Sequence, residues 1–219
     1  GIITIVDGAH SVGMIDFNLH DLGCDFYACS GHKWLNGPPG TGIFYIRDAK
    51  DNPHGLWPVL TEIYAVKKAF PVSKMMQMRG QQNTPSITAM VDAIEMQERI
   101  GKAKIEKRVM SLNSYLRKRI VDIWGKKSLL TPLDGDELCS GMASFIPFKD
   151  HDDRYLRKKF FTVTEVLKRK HGIYIRNIWF KDQVSDRKDT FVLRVSTHIF
   201  NTYEEIEKVL NTVKKVIEQ

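Results

Sequence analysis

The chain has 219 residues, 42% hydrophobic and 27% charged, with a formal net charge of +7. That is the composition of a globular protein large enough for one or two domains. No apolar run reaches the length of a membrane span, and no signal-peptide pattern opens the chain. The basic residues are interspersed with acids, as in Lys102, Lys104, Glu106, Lys107 and Arg108, so a solvated helix face is a better reading than a nucleic-acid surface.

Ile2–Val6 reads as a strand that runs into Asp7-Gly8-Ala9-His10. Phe17–Leu22 suits a turn or short helix. Asp25–Cys29 reads as a second strand and is followed by Ser30-Gly31-His32-Lys33-Trp34; after Gly37-Pro38-Pro39-Gly40-Thr41-Gly42 comes a third, Ile43–Ile46. Asp7 and Lys33 therefore fall at strand carboxyl ends, where ligands of α/β sheets gather. A lysine amine can hold a cofactor aldehyde as a Schiff base, and a buried carboxylate can keep a pyridine nitrogen protonated. The plain alternatives are a solvated lysine and a turn-capping aspartate.

Residues 51–82 are irregular, broken by Pro53, Pro58 and Pro71, with Met75, Met76 and Met78 as core or interface filling. A helix opens at Thr84 or Pro85 and carries Ile87, Met90, Val91, Ile94, Met96 and Ile100 at helical spacing. Gly101 separates it from Ile105–Trp124, with Val109, Leu112, Leu116 and Ile120 as its apolar stripe. A smaller domain begins near Leu129, so the division expected is 1–128 and 129–219. Met142–Ile146, Gly172–Arg176 and Phe191–Val195 read as strands, and Tyr155–Lys170 as a helix. Thr202-Tyr203-Glu204-Glu205 is a capping-box pattern opening a last helix with Ile206, Val209, Leu210, Val213 and Val216 inward. That order of elements is an α+β arrangement. Cys24, Cys29 and Cys139 lack metal-ligand spacing, so no metal site and a reduced, cytoplasmic setting are expected.

VDGAHSVG, SGHKW and Arg194-Val195-Ser196-Thr197-His198-Ile199-Phe200-Asn201-Thr202 together resemble the class V aminotransferase superfamily of pyridoxal phosphate enzymes, in the branch of isopenicillin N epimerase-like proteins and cysteine or cystine lyases. The resemblance implies the aspartate aminotransferase-like α/β fold (fold type I), with an incomplete large domain and a small α+β C-terminal domain. It implies pyridoxal 5'-phosphate as cofactor, an amino acid as substrate and a homodimer. Lys33 would form the Schiff base and act as the base at Cα. Asp7 would pair with the pyridine nitrogen and His10 contact the phenolic oxygen. Ser30 and His32 would contact the phosphate, with packing beside Trp34 as the alternative for His32. Arg194 would clamp the substrate α-carboxylate, with a strand-end salt bridge as its alternative, and Arg176 is a weaker candidate.

Two departures matter. Cysteine desulfurases carry a sulfur-accepting cysteine in a small-domain loop; Asn177–Thr190 holds none, which disfavours a persulfide mechanism. Where the family often has Gly-Thr, this chain has Gly80-Gln81, so Gln81 replaces the threonine expected to reach the neighbouring subunit's phosphate. Only six residues precede Asp7, whereas the family has a substantial N-terminal portion there; a fragment with an open sheet edge is expected. C–S lyase or epimerase-like chemistry ranks above aminotransfer, and a non-catalytic fragment is the reading from another class.

Overall fold

A computed structural model describes residues 1–49, 51, 53–56, 70–77, 80–148, 153–181 and 189–218. They form two compact units, Gly1–Ile105 and Glu106–Gln219. The division falls inside a helix, upstream of the 128/129 boundary expected from sequence.

The first unit is built on β1 (Ile5–Asp7), β2 (Phe26–Ser30) and β3 (Gly42–Ile46), in that order across the sheet. β1 and β2 run parallel with Asp7 opposite Ala28, so both strands deliver their carboxyl ends to one edge of the sheet. β2 and β3 are antiparallel and are joined by the loop that holds Lys33. β2 is the buried strand: Phe26 and Tyr27 are both in the core.

Strand β1 is shorter than Ile2–Val6. Thr4 donates its N–H and hydroxyl to the Asp25 carboxylate at 2.8 and 2.9 Å, a side-chain partnership just ahead of the strand. Ile2 is left 93% exposed, and Ile5 on the edge strand itself is 76% exposed. Asp25 also pairs with Arg47 and lies 3.3 Å from His54 Nε2. The Thr4 N–H first, and Arg47 next, hold its carboxyl well below the usual carboxylate range.

Two helices complete this part of the chain, α1 (Val72–Gln77) and α2 (Thr84–Ile100). Met75 is buried in α1, while Met78 lies outside the described residues. Asn83 caps α2 by accepting the Ser86 N–H at 3.2 Å, and Gly101, at φ 96°, ends it. The apolar stripe expected on α2 is not its buried one. Ile87, Val91, Met96 and Ile100 are exposed, and the buried residues are Ala93 and Gln97.

α3 (Lys102–Trp124) bears the stripe Val109, Leu112, Leu116 and Ile120, all fully buried. Beyond it, β4 (Met142–Phe145), α4 (Asp153–His171), β5 (Arg176–Lys181), β6 (Asp189–Ser196) and α5 (Tyr203–Ile217) form the second unit. Its sheet has the order β4-β6-β5, antiparallel throughout. Ala143, Phe145, Phe191, Leu193 and Val195 face Leu112, Leu116, Phe160, Leu167, Ile206 and Leu210 of the helices in one apolar core. Thr202 and Glu205 make the full capping box at the start of α5.

One strand is misplaced in the sequence reading. Gly172–Ile175 is no strand; β5 begins at Arg176. Gly172, at φ 64°, ends α4: its N–H reaches Lys168 O at 3.2 Å, and the Ile173 N–H reaches Leu167 O at 3.1 Å. That αL closure, with the Gly172 N–H returning to the carbonyl four residues back, consumes the segment as a helix cap and turns Ile173 into the core. Of the cysteine-free stretch Asn177–Thr190, residues 177–181 belong to β5 and 189–190 to β6, and 182–188 lie outside the described residues.

Candidate active site around Lys33

Lys33 lies in the turn that follows β2, half-buried. The loop is tied across its base: the Gly31 N–H donates to Thr41 O at 2.9 Å, and the Gly37 N–H to Gly31 O at 2.8 Å. A Cβ on Gly31 would stand 2.6 Å from Thr41 Oγ1 and 2.7 Å from Met90 Sδ, so this close approach requires glycine. Trp34 and Leu35 are buried beside Lys33. Gln97 of α2, also buried, donates to the Trp34 carbonyl at 2.7 Å and pins the loop. Sequence reasoning missed Gln97. The available signal was an amide two turns along the helix from Met90, on the side that also buries Ala93.

Lys33 Nζ is 3.4 Å from His10 Nε2. The Trp34 indole N–H donates to His10 Nδ1 at 3.1 Å. An indole nitrogen can only donate, so Nδ1 must accept, and the neutral ring carries its proton on Nε2. The Nε2–H of His10 then lies beside Lys33 Nζ, which can accept it only as an amine with a lone pair and not as an ammonium. Three residues from two strand-end loops, His10, Lys33 and Trp34, are brought together.

Asp7 closes β1 at the same edge, but its carboxylate is exposed rather than buried. Its Oδ1 accepts the Ala9 N–H at 3.0 Å, which is the turn-capping alternative, and this leaves the second oxygen to other partners. Ser30 ends β2, half-buried. The exposed His32 ring is turned to the Thr41 carbonyl, with Nδ1 at 3.2 Å. A carbonyl only accepts, so that nitrogen donates there and the neutral ring offers Nε2 as an acceptor. Gln81 is exposed just ahead of α2, and no hydrogen bond among the described residues joins it to the Lys33 group. Arg194 lies on β6 in the second unit, half-buried; burial first, and the charge of Arg176 second, push its pKa down. Among the described residues it makes no salt bridge.

The sequence of residues 1–209 matches the family model for aminotransferase class V. The chain belongs to that family. It is 28% identical to isopenicillin N epimerase of Streptomyces clavuligerus over 97% of this chain and 52% of that protein. It is 25% identical to a putative L-cysteine desulfhydrase of Oryza sativa subsp. japonica over 97% of this chain and 45% of that protein. Among solved structures, the apo cysteine desulfurase of Thermococcus onnurineus NA1 superposes with a TM-score of 0.74 at 23% identity, covering 99% of this chain and 52% of that one. A C-DES mutant with glycine covalently linked to its PLP cofactor gives a TM-score of 0.67 at 20% identity, over 94% of this chain and 50% of that one. The fold is the fold-type-I architecture that the sequence resemblance implied. The class V chain spans about half the length of the curated relatives it matches.

Proposed function

We propose that this chain carries the cofactor-anchoring part of a pyridoxal phosphate-dependent enzyme that acts on an amino acid. The observation that carries this reading is the Lys33–His10–Trp34 group at the carboxyl edge of a parallel strand pair, in a class V chain. The donor set fits the cofactor: a primary amine for the aldehyde, a strand-end carboxylate for the pyridine nitrogen, and an imidazole N–H between them in sequence. When bound, the pyridoxal ring draws electrons from the substrate Cα and so acidifies its proton.

The chain's own residues would then act as follows. Lys33 Nζ holds the aldehyde carbon and, once displaced by the substrate amine, takes the Cα proton. Asp7 keeps a proton on the pyridine nitrogen. His10 donates from Nε2 to the phenolic oxygen, with Trp34 fixing the ring that does so. Ser30 supplies a hydroxyl to the phosphate; His32 and Gln81 are the further phosphate contacts. Arg194 holds the substrate α-carboxylate through its planar fork. The enzyme would be a cytoplasmic homodimer, and the reaction C–S bond cleavage or epimerisation, with aminotransfer as the alternative.

Solvent deuterium separates these. Epimerisation puts deuterium at Cα of recovered substrate, C–S cleavage releases pyruvate from cystine, and aminotransfer yields a keto acid only with an added acceptor. No Cα exchange with any amino acid, in a sample whose Lys33 holds cofactor, refutes the proposal. A second reading, that this chain alone binds cofactor weakly, is favoured by its spanning about half of its relatives' length.

A further inference from the structure

Three polar residues share one rung of the sheet in the second unit. Arg194 on β6 is the register partner of Ser144 on β4 and of Arg176 on β5. Register partners project from the same face, and neighbours along a strand from the opposite one. Leu193, Val195, Phe145 and Ala143 belong to the helix-covered core, so Ser144, Arg194 and Arg176 occupy the other face.

The rung carries two costs within the chain. Like charges directly opposite on paired strands repel. The Arg194 Nε is buried without a hydrogen-bond partner, which costs desolvation energy with no return. Among the described residues, no carboxylate pairs with either arginine. An anion removes both costs at once. One carboxylate neutralises one guanidinium; two carboxylates neutralise both and leave the Ser144 hydroxyl as a further donor.

We propose that the Ser144–Arg194–Arg176 rung is a two-carboxylate site, and that the amino-acid substrate bears a second carboxylate. Arg194 takes the α-carboxylate, and the exposed Arg176 takes the second, setting specificity. The assignment of the α-carboxylate to Arg194 rests on the proposed function; the affinity of the rung for a dicarboxylate does not.

The test uses the full chain without cofactor, titrated with succinate, acetate and sulfate, and read by 15N NMR of the arginine Nε–H resonances. The Arg194 signal is identified by its loss in Arg194→Gln. Succinate is expected to shift that signal and to bind about tenfold tighter than acetate, a difference of about 1.4 kcal/mol. Arg176→Gln, on the surface, should bring succinate down to the acetate level and weaken acetate far less than it weakens succinate. The proposal is overturned if succinate leaves the signal unmoved, if it binds no tighter than acetate or sulfate, or if Arg176→Gln leaves the ratio intact. Borohydride trapping of pyridoxal phosphate at Lys33, run in parallel, keeps the two claims apart. Trapping with a failed titration sinks only the rung, and a successful titration without trapping counts only against the cofactor reading.

Discussion

Replacing Gln97 with leucine removes one hydrogen bond and little volume. The Gln97 side chain is 4% exposed and its amide reaches the carbonyl of Trp34, itself 5% exposed, at 2.7 Å. The variant leaves that carbonyl without its donor in a place water reaches poorly. A buried acceptor stripped of its partner costs about 1–3 kcal/mol. The shape mismatch between a branched side chain and an amide adds less than about 1.5 kcal/mol. The N-terminal unit should therefore lose about 1–4.5 kcal/mol, a factor of about 5 to 2000 in its unfolding equilibrium. Urea unfolding monitored by tryptophan fluorescence measures it, with the transition midpoint moving down at unchanged slope. Because Trp34 follows Lys33 directly, cofactor trapping at Lys33 should weaken in the same variant under native conditions. Gln97→Glu, which places an acceptor against an acceptor, should lose at least as much. Wild-type stability and trapping in Gln97→Leu would mean that α2 does not hold the lysine loop.

Trp34→Phe keeps an aromatic ring but removes the indole N–H that donates to His10 Nδ1. 15N NMR of the imidazole should show the Nε2–H form in the wild type and a tautomer mixture in the variant; an Nδ1–H form in the wild type would refute the assignment. Asp25 gives an acid-side dependence. Its folded pKa is depressed, so its contribution is complete above the ordinary carboxylate pKa of about 3.9 and is lost as pH falls through the lower folded value. Thermal melts should show the wild type and Asp25→Asn differing most near neutral pH and converging in strong acid; a constant gap would contradict this. Leu116→Ala empties a fully buried position on α3 and should cost the C-terminal unit about 2–5 kcal/mol by urea unfolding, whereas a cost under about 1 kcal/mol would place Leu116 outside the core.

The parts legible in the sequence are those set by local pattern. The turn after β2 follows from an apolar run broken by glycine. The α3 stripe from Val109 to Ile120 follows from helical spacing, and the start of α5 from Thr202 and Glu205. The parts missed depend on distant partners. Gln97 acquires its role from a carbonyl 63 positions away. β5 starts late because Gly172 closes α4 backwards onto Lys168, a competition between a helix cap and a strand that apolar residues at 173–175 do not reveal. The exposed stripe on α2 shows periodicity alone misassigning a face, since the buried side of that helix serves a hydrogen bond. The pairing of Arg176 with Arg194 is a matter of register, which no single strand encodes. At the site, the strand-end positions of Asp7 and Lys33 were readable. The donor polarity of His10 depends on Trp34, a partner 24 positions away in the chain.

The central claim is that Lys33 holds a pyridoxal cofactor. The most direct measurement is an absorption spectrum of the purified chain with added pyridoxal phosphate, beside Lys33→Ala. A band near about 420 nm that borohydride fixes on the peptide containing Lys33, and that the variant lacks, is the predicted result. A folded chain that shows no such band, or an equal band in Lys33→Ala, would contradict the account.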